Sequence, residues 1–269
     1  TDIKTAMEEC AKAGYQGVEL VLSKDGEITP KTTTAKLKHL KETANDLGLE
    51  IITIGADNVW ENNLASDNGA EQKKAIDNIK RQIDIAQVCG ADLVLVVPGW
   101  VGSPFSNGKV QYDRAYYNSR DALASLSEYA SLAEISIGIE NVWNKFLLSP
   151  IEMACYLDEI SSEFIGAYFD IGNIIYIGYP EQWIRILGKR IKRLQFYDCR
   201  EDQAGLGKFV DIFEGDVDFP SVMEAIDEIE YDGYAVLEVF PNYRSFQFQS
   251  IYNGRLALET VLNLGRKRY

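Results

Sequence analysis

Residues 136–170 read SIGIENVWNKFLLSPIEMACYLDEISSEFIGAYFD, and this stretch decides the fold class. It contains two short apolar runs, Ser136–Glu140 and Ile165–Asp170, each of the length typical of a buried strand. Between them, the sequence SPIE at 149–152 has the pattern of a capping box with proline at the first helical position, which predicts that a helix begins there. Two buried strands joined by a helix indicate a parallel sheet covered by helices.

The same alternation runs along the rest of the chain. Further apolar runs predict strands at Gly17–Leu22, Glu50–Ile54, Asp92–Val97, Ile191–Phe196 and Ala235–Phe240. Helical patterns cover Asp2–Ala13, Thr33–Gly48, Glu71–Cys89, Asp113–Glu134, Phe219–Glu228 and Phe246–Leu264. No linker or low-complexity tract interrupts the alternation. We therefore predict an α/β fold, a (β/α)8 TIM barrel, as a single domain over residues 1–269.

Seven strands are visible, whereas a closed barrel needs eight. The chain opens on a helical pattern and without an initiator methionine, so we expect a first strand to precede Thr1. A doubly wound open sheet is the alternative. Against that alternative, no GxGxxG or GxxxxGK[ST] motif follows any strand.

Composition excludes several classes of function. The chain has 269 residues, with 27 Lys and Arg against 41 Asp and Glu, and its net charge of −14 argues against a nucleic-acid partner. No apolar run is long enough for a membrane span and no signal segment opens the chain, so we expect a cytoplasmic protein. The four cysteines form no CxxC pair and do not suggest a disulfide framework. Aromatic-rich stretches at 112–117 and 243–252 permit a homodimer.

The chain has a single histidine, His39, which excludes zinc sites built on two or more histidines. It lies in a predicted helix but off the apolar stripe formed by Leu37, Leu40, Ala44 and Leu47, so we expect it to be exposed. Any acid–base chemistry must then fall to carboxylates, Lys, Tyr or Cys.

Oxygen-bearing side chains lie at or near the ends of four consecutive predicted strands: Glu140, Asp170, Gln195 and Glu238. The carboxyl ends of parallel strands carry the working residues of such folds. Three carboxylates meeting there would repel one another unless a cation lay among them. Four oxygen ligands suit a hard divalent ion, Mg²⁺ or Mn²⁺, better than Zn²⁺. Capping by backbone amides or pairing with Arg is the alternative explanation for these acids.

Several segments together resemble the xylose-isomerase-like TIM-barrel superfamily of sugar isomerases and epimerases, which also contains the endonuclease IV branch. They are AGYQGVEL (13–20), GIENVWNKFLLSPIEM (138–153), AYFDIGNIIYIGYPEQWI (167–184), RIKRLQFYD (190–198), FEGDVDFPSVMEAI (213–226) and YDGYAVLEVF (231–240). The resemblance covers essentially the whole chain from Ala6. ENVWN and GYPEQWI bring it closest to the sugar-phosphate branch, of the hexulose-6-phosphate isomerase and L-xylulose-5-phosphate 3-epimerase type.

The resemblance implies a barrel with one divalent metal, commonly Mn²⁺ or a similar ion, and Glu140, Asp170 and Glu238 match the family's carboxylate ligands. Two departures matter. The family usually has His-x-Lys-Asp after the seventh strand, where residues 195–198 read QFYD, so Gln195 replaces the histidine ligand. It often has Asp-x-Gly-His after the sixth strand, where residues 170–173 read DIGN.

The chemistry that the resemblance implies is proton abstraction next to a ketose carbonyl, through an enediolate. Glu140 and Glu238 would act as the acid/base pair on opposite sides of the barrel mouth. Return of the proton to the opposite face gives epimerisation, and its return to the neighbouring carbon gives isomerisation.

Further residues are candidates for binding a sugar or a sugar phosphate. Glu19, Trp143, Asn144, Asn173 and Asp198 are candidates for the sugar. Recognition of a phosphate needs basic side chains, for which the candidates are Lys145, Arg200, Lys208 and Arg244. Trp100 and Phe105 follow a strand and form either an apolar lid or a dimer contact.

Three other functions stay open. The first is a catalytically silent barrel that binds a sugar without turning it over, because Gln195 degrades the metal site. The second is a lyase that acts on a keto acid with the same metal. The third, an endonuclease, is disfavoured by the acidic charge and the missing histidines.

Overall fold

The computed structural model describes residues 2–103, 105–202, 209–239 and 243–266. Its contacts divide the chain into two compact units. The first comprises Thr1–Phe146 and Cys155–Gly166, and the second comprises Leu147–Ala154 and Ala167–Tyr269. Two elements, the helix Pro150–Ile160 and the strand Ile165–Asp170, pass from one unit to the other.

The first unit is built on four neighbouring parallel strands: Gly17–Leu22, Glu50–Ala56, Leu93–Val96 and Ser136–Glu140. Its helices are Ile3–Ala13, Thr34–Asp46, Gly69–Cys89 and Tyr112–Ala133, with a 3₁₀ turn at Asp57–Trp60. A small antiparallel ladder joins Gly102–Ser103 to Ser106–Lys109 after the third strand. Strands that are largely apolar and buried are typical of a parallel sheet covered by helices.

The second unit carries the strands Ile165–Asp170, Ile191–Phe196 and Ala235–Leu237, which pair in parallel in that order. Its helices are Pro180–Leu187, Phe219–Glu228 and Gln249–Arg266, with 3₁₀ turns at Gly172–Ile174 and Gly188–Arg190. A short antiparallel pair, Asp198–Cys199 with Phe209–Val210, follows the middle strand. Phe169 and Trp183 stack in the core with ring centroids 6.1 Å apart.

Local capping explains where the helix at Pro150 begins. The hydroxyl of Ser149 accepts a hydrogen bond from the Glu152 amide at 3.2 Å, and the Glu152 carboxylate accepts one from the Leu148 amide at 2.9 Å. These two bonds satisfy amides that lie before the first helical turn closes. The predicted helix start is therefore confirmed, with the carboxylate one residue further back than in the ideal box.

The predicted strands are confirmed with small changes at their ends. The longest change is in the last strand, which ends at Leu237 rather than Phe240, and Phe240 lies outside the described residues. The helix Pro180–Leu187 was not predicted, although it buries Trp183, Ile184 and Leu187 on one face. His39 is exposed on its helix, as expected. The single domain and the strand before Thr1 stay predictions.

Two expected absences concern the described residues alone. None of their helices is long and apolar enough to cross a membrane. All four cysteines lie in described segments, and none of them forms a disulfide there.

Candidate active site

Three of the four predicted metal ligands lie at one end of three successive strands of the second unit. Asp170 ends its strand and pairs in register with Gln195 on the next. Gln195 pairs in turn with Val236, and the amide of Glu238, one residue past the last strand, donates to the Phe196 carbonyl at 3.2 Å. The parallel register thus brings Asp170, Gln195 and Glu238 together, as the strand-end argument predicts.

Gln195 and Glu238 are hydrogen-bonded to each other. The Gln195 Nε2 donates to Glu238 Oε2 at 2.6 Å. Gln195 is only 5% exposed, and its Oε1 is buried and accepts no hydrogen bond from any described residue. A buried amide oxygen without a donor is costly, so this atom is suited to accept a bond from a ligand.

Asp170 is held by the turn that follows it. Its Oδ1 accepts from the Asn173 backbone amide at 2.9 Å and its Oδ2 accepts from Asn173 Nδ2 at 2.8 Å. Both residues are buried. Gly172 lies close to Tyr197 in this turn, since a Cβ there would lie 3.1 Å from the Cβ and the carbonyl oxygen of Tyr197. The Asn173 amide therefore orients the carboxylate, and its predicted contact with substrate stays a prediction.

Tyr197 is a buried phenol beside these carboxylates. It is 3% exposed, and its ring stacks on Phe209 with centroids 4.7 Å apart. Burial, followed by the charges of Glu238 and Asp170, raises the pKa of Tyr197 well above its usual range. The side chain is therefore neutral at physiological pH.

Asp198 anchors a loop. Its Oδ1 accepts from the amides of Cys199 and Val217, and its Oδ2 accepts from those of Phe213 and Gly215. Burial raises the pKa of Asp198, and the four backbone hydrogen bonds act in the opposite direction. Both oxygens hold the chain in place, so the structure offers no sign of the predicted contact with substrate.

In the first unit, two predicted acids lie on strands. Glu140 is half-buried at the end of Ser136–Glu140. Glu19 is also half-buried and pairs in register with Thr53. The Thr53 hydroxyl is buried and neither donates nor accepts a hydrogen bond among the described residues.

The loop after Glu140 is held by Asn144. Its Nδ2 donates to the Gly99 carbonyl at 2.7 Å and its Oδ1 accepts from the Phe146 amide at 3.1 Å. The buried side chain thus ties two loops together, and its predicted contact with a sugar stays a prediction. Trp143 is half-buried and Lys145 is exposed. The exposure of these two side chains does not test their predicted roles, which are contact with the sugar for Trp143 and with a phosphate for Lys145.

The candidates for binding a phosphate have acidic or solvent surroundings. The Arg200 Nε donates to the Glu214 carbonyl at 2.9 Å, and Arg200 borders a cavity of about 720 Å³. The other described residues that line the cavity are acidic: Glu201, Asp202, Glu214 and Asp216. Arg244 is exposed, and Lys208 lies outside the described residues.

The residues that could hold a metal are the oxygen donors at the strand ends. Within the described ranges, no group of three or more His, Cys, Asp or Glu side chains is arranged to hold an ion. The buried Oε1 of Gln195, beside the carboxylates of Asp170 and Glu238, fits a hard divalent cation by its chemistry. The four-ligand site stays a prediction.

A family model described as xylose isomerase-like TIM barrel matches residues 7–255. The chain belongs to this family. The predicted TIM-barrel fold class is thereby confirmed, and the Asp170, Gln195 and Glu238 group occupies the strand ends where TIM barrels carry their active sites.

Relatives of this family member extend the comparison. The uncharacterized protein MJ1311 of Methanocaldococcus jannaschii is 25% identical over 239 residues, which cover 88% of this chain and 78% of that protein. A crystal structure of a D-tagatose 3-epimerase-like protein has 23% identity and a TM-score of 0.83, with 99% of this chain and 96% of that chain covered. A crystal structure of the IOLI protein with a bound zinc atom has 16% identity and a TM-score of 0.81, with 98% of this chain and 94% of that chain covered. At these identities the two structures share the fold.

Proposed function

We propose that this protein is a divalent-metal-dependent isomerase or epimerase of a sugar or sugar phosphate. The observation that carries the proposal is the juxtaposition of Asp170, Gln195 and Glu238 at the strand ends, together with the buried Gln195 Oε1, which accepts no hydrogen bond from the described residues. The fold neighbours point to the same class, because one is named for a ketose 3-epimerase and another is described with a bound zinc atom.

The metal would be held by Glu140, Asp170, Gln195 and Glu238, and Mn²⁺ or Mg²⁺ suits these oxygen donors best. When bound, such an ion polarises the carbonyl of a ketose and makes the adjacent C–H more acidic. The chain's own contribution is to fix the ligands. Asn173 orients both oxygens of Asp170, and Gln195 orients one oxygen of Glu238.

Glu140 and Glu238 would be the acid/base pair: one removes the proton from the carbon next to the ketose carbonyl, and the other returns a proton to the substrate. In the free protein, Glu238 Oε2 accepts from Gln195. We assign the Glu238 carboxylate, oriented by this hydrogen bond, as a group that removes or returns the proton. The second unit contains no histidine, and its Tyr197 is held neutral, so carboxylates are the bases that we assign within this unit.

The test combines metal binding and turnover. Chelated protein is titrated with Mn²⁺ beside the variant Glu140→Ala, and the Mn²⁺-loaded protein is incubated with D-tagatose, D-fructose and D-fructose 6-phosphate. We expect one equivalent of Mn²⁺, loss of that binding in the variant, and formation of a C3 epimer or an aldose. Glu238→Gln retaining full turnover would contradict the acid/base assignment.

A silent sugar-binding barrel is the second candidate, and the replacement of a histidine by Gln195 favours it. An amide oxygen is a weaker ligand than imidazole, and this amide also bonds to Glu238. Binding of a ketose by calorimetry, without Mn²⁺ binding and without turnover, would support this candidate over the enzyme.

A further inference from the structure

Gln195 has two ends with different surroundings. The Nε2 end donates to a carboxylate oxygen at 2.6 Å, while the Oε1 end is buried and accepts nothing from the described residues. A histidine that coordinates a metal through one ring nitrogen can donate a hydrogen bond only from its other ring nitrogen. The glutamine amide instead carries its donor and its acceptor on one terminal group. The replacement by glutamine therefore changes more than ligand strength.

The backbone fixes the direction of this amide. Gln195 lies opposite Val236 in a parallel ladder, and the Glu238 amide donates to Phe196. These ladder bonds set the Glu238 backbone beside the Gln195 side chain, so the contact between the two side chains follows from strand register rather than from a mobile loop. A bond from a neutral donor to a carboxylate is also stronger than one between neutral groups.

We propose that Gln195 is a positioning residue for Glu238: its amide nitrogen holds Glu238 Oε2 and so fixes the orientation of the carboxylate, while the buried Gln195 Oε1 is the acceptor offered to a bound ligand. The proposal deepens the proposed function, on which the identity of that ligand rests. The pairing itself belongs to the free protein and is testable without any metal or sugar.

An exchange of the two side chains tests the pairing in chelated protein at pH 7.5. Gln195→Glu alone places two carboxylates at hydrogen-bond distance, whereas the double variant Gln195→Glu with Glu238→Gln restores one amide donor and one carboxylate acceptor. We expect the single variant to raise the unfolding equilibrium constant in urea at least 100-fold. The double variant should recover at least tenfold of that loss.

A spectroscopic readout separates positioning from general packing. In ¹H–¹⁵N spectra of the chelated protein, the Gln195 side-chain amide should give a resolved, slowly exchanging pair of peaks that disappears in Gln195→Met and shifts in Glu238→Gln. The matched control is Gln82→Met. It removes another buried glutamine, one that donates to the carbonyls of Ile54 and Leu95. It should leave the Gln195 peaks unchanged.

Two results would overturn the positioning role. One is that the effects of Gln195→Glu and Glu238→Gln on the unfolding equilibrium are additive, and the other is that the Gln195 amide peaks do not shift in Glu238→Gln. If the exchange rescues stability but the wild-type protein binds no Mn²⁺, the pairing stands and the proposed metal-dependent function fails. The two proposals are therefore judged by different measurements.

Discussion

Replacing Asp198 with asparagine tests the strongest local anchor beside the candidate site. The Asp198 carboxylate accepts four backbone hydrogen bonds, from Cys199 at 2.8 Å, Phe213 at 2.9 Å, Gly215 at 3.0 Å and Val217 at 3.2 Å. The residue is 1% exposed, so water cannot replace a lost acceptor without a rearrangement of the loop.

The magnitude follows from counting acceptors. Asparagine keeps one oxygen, so whichever way the amide is turned, two of the four N–H donors face an NH₂ group. Each net hydrogen bond to a charged group contributes about 1.5 kcal/mol at the lower end, so two lost bonds cost about 3 kcal/mol. Removal of a buried charge offsets part of this cost. We expect Asp198→Asn to lower the free energy of unfolding by about 2–4 kcal/mol.

The assay is urea unfolding of chelated protein, followed by circular dichroism, with amide hydrogen exchange at Cys199, Phe213, Gly215 and Val217. Exchange should accelerate in the variant at one of the two pairs, either Cys199 and Val217 or Phe213 and Gly215, because the pair that faces the NH₂ group loses its acceptor. The control is Asp227→Asn at an exposed position, which should change stability by less than about 0.5 kcal/mol. A loss below about 1 kcal/mol, with all four amides still protected, would refute the anchoring role.

Three further predictions concern the same loop and the thiols. Because burial raises the pKa of Asp198, the folded protein binds its proton more tightly than the unfolded chain does, so this group's stabilisation is lost as pH rises above 3.8 through the raised pKa. The stability of wild type relative to Asp198→Asn, measured from urea unfolding at each pH, should fall across that interval. Gly215→Ala should cost at least about 2 kcal/mol in urea unfolding, because its Cβ would lie 2.2 Å from Asp198 Oδ1; an unchanged midpoint argues against a rigid loop. At pH 8, Ellman's reagent should label exposed Cys155 quickly and Cys89 slowly, since burial raises the pKa of the Cys89 thiol to about 11; equal rates would contradict the described burial.

The order of elements was predictable because it depends on local patterns. The apolar run Ile165–Asp170 is visible in the sequence as a short segment, and the capping at Ser149 joins groups no more than four residues apart. The helix Pro180–Leu187 escaped prediction because it is short. Proline at its first position and the spacing of Trp183, Ile184 and Leu187 are signals in the sequence that fit a helix.

The grouping of oxygen-bearing side chains at the strand ends was predictable for a related reason. Parallel strands place their carboxyl ends at one edge of the sheet. Asp170, Gln195 and Glu238 therefore lie close together when the ends of the three strands are level with one another. The roles of Asn144 and Asp198 were less accessible. Their partners lie 45 residues away at Gly99 and up to 19 residues away at Val217, and no short-range pattern encodes such pairs.

The sequence alone therefore determined the fold class and the order of the strands along the chain, and it predicted which oxygen-bearing side chains end those strands, since periodicity and strand-end position are local properties. Only the tertiary structure decided which donors bind the protein itself. It showed that both oxygens of Asp198 accept hydrogen bonds from backbone amides. It also showed that Gln195 Nε2 donates to Glu238, while Gln195 Oε1 accepts no hydrogen bond from the described residues. The physical reason is that hydrogen-bond partners are selected by distance in space, which packing and strand register set, rather than by separation along the chain.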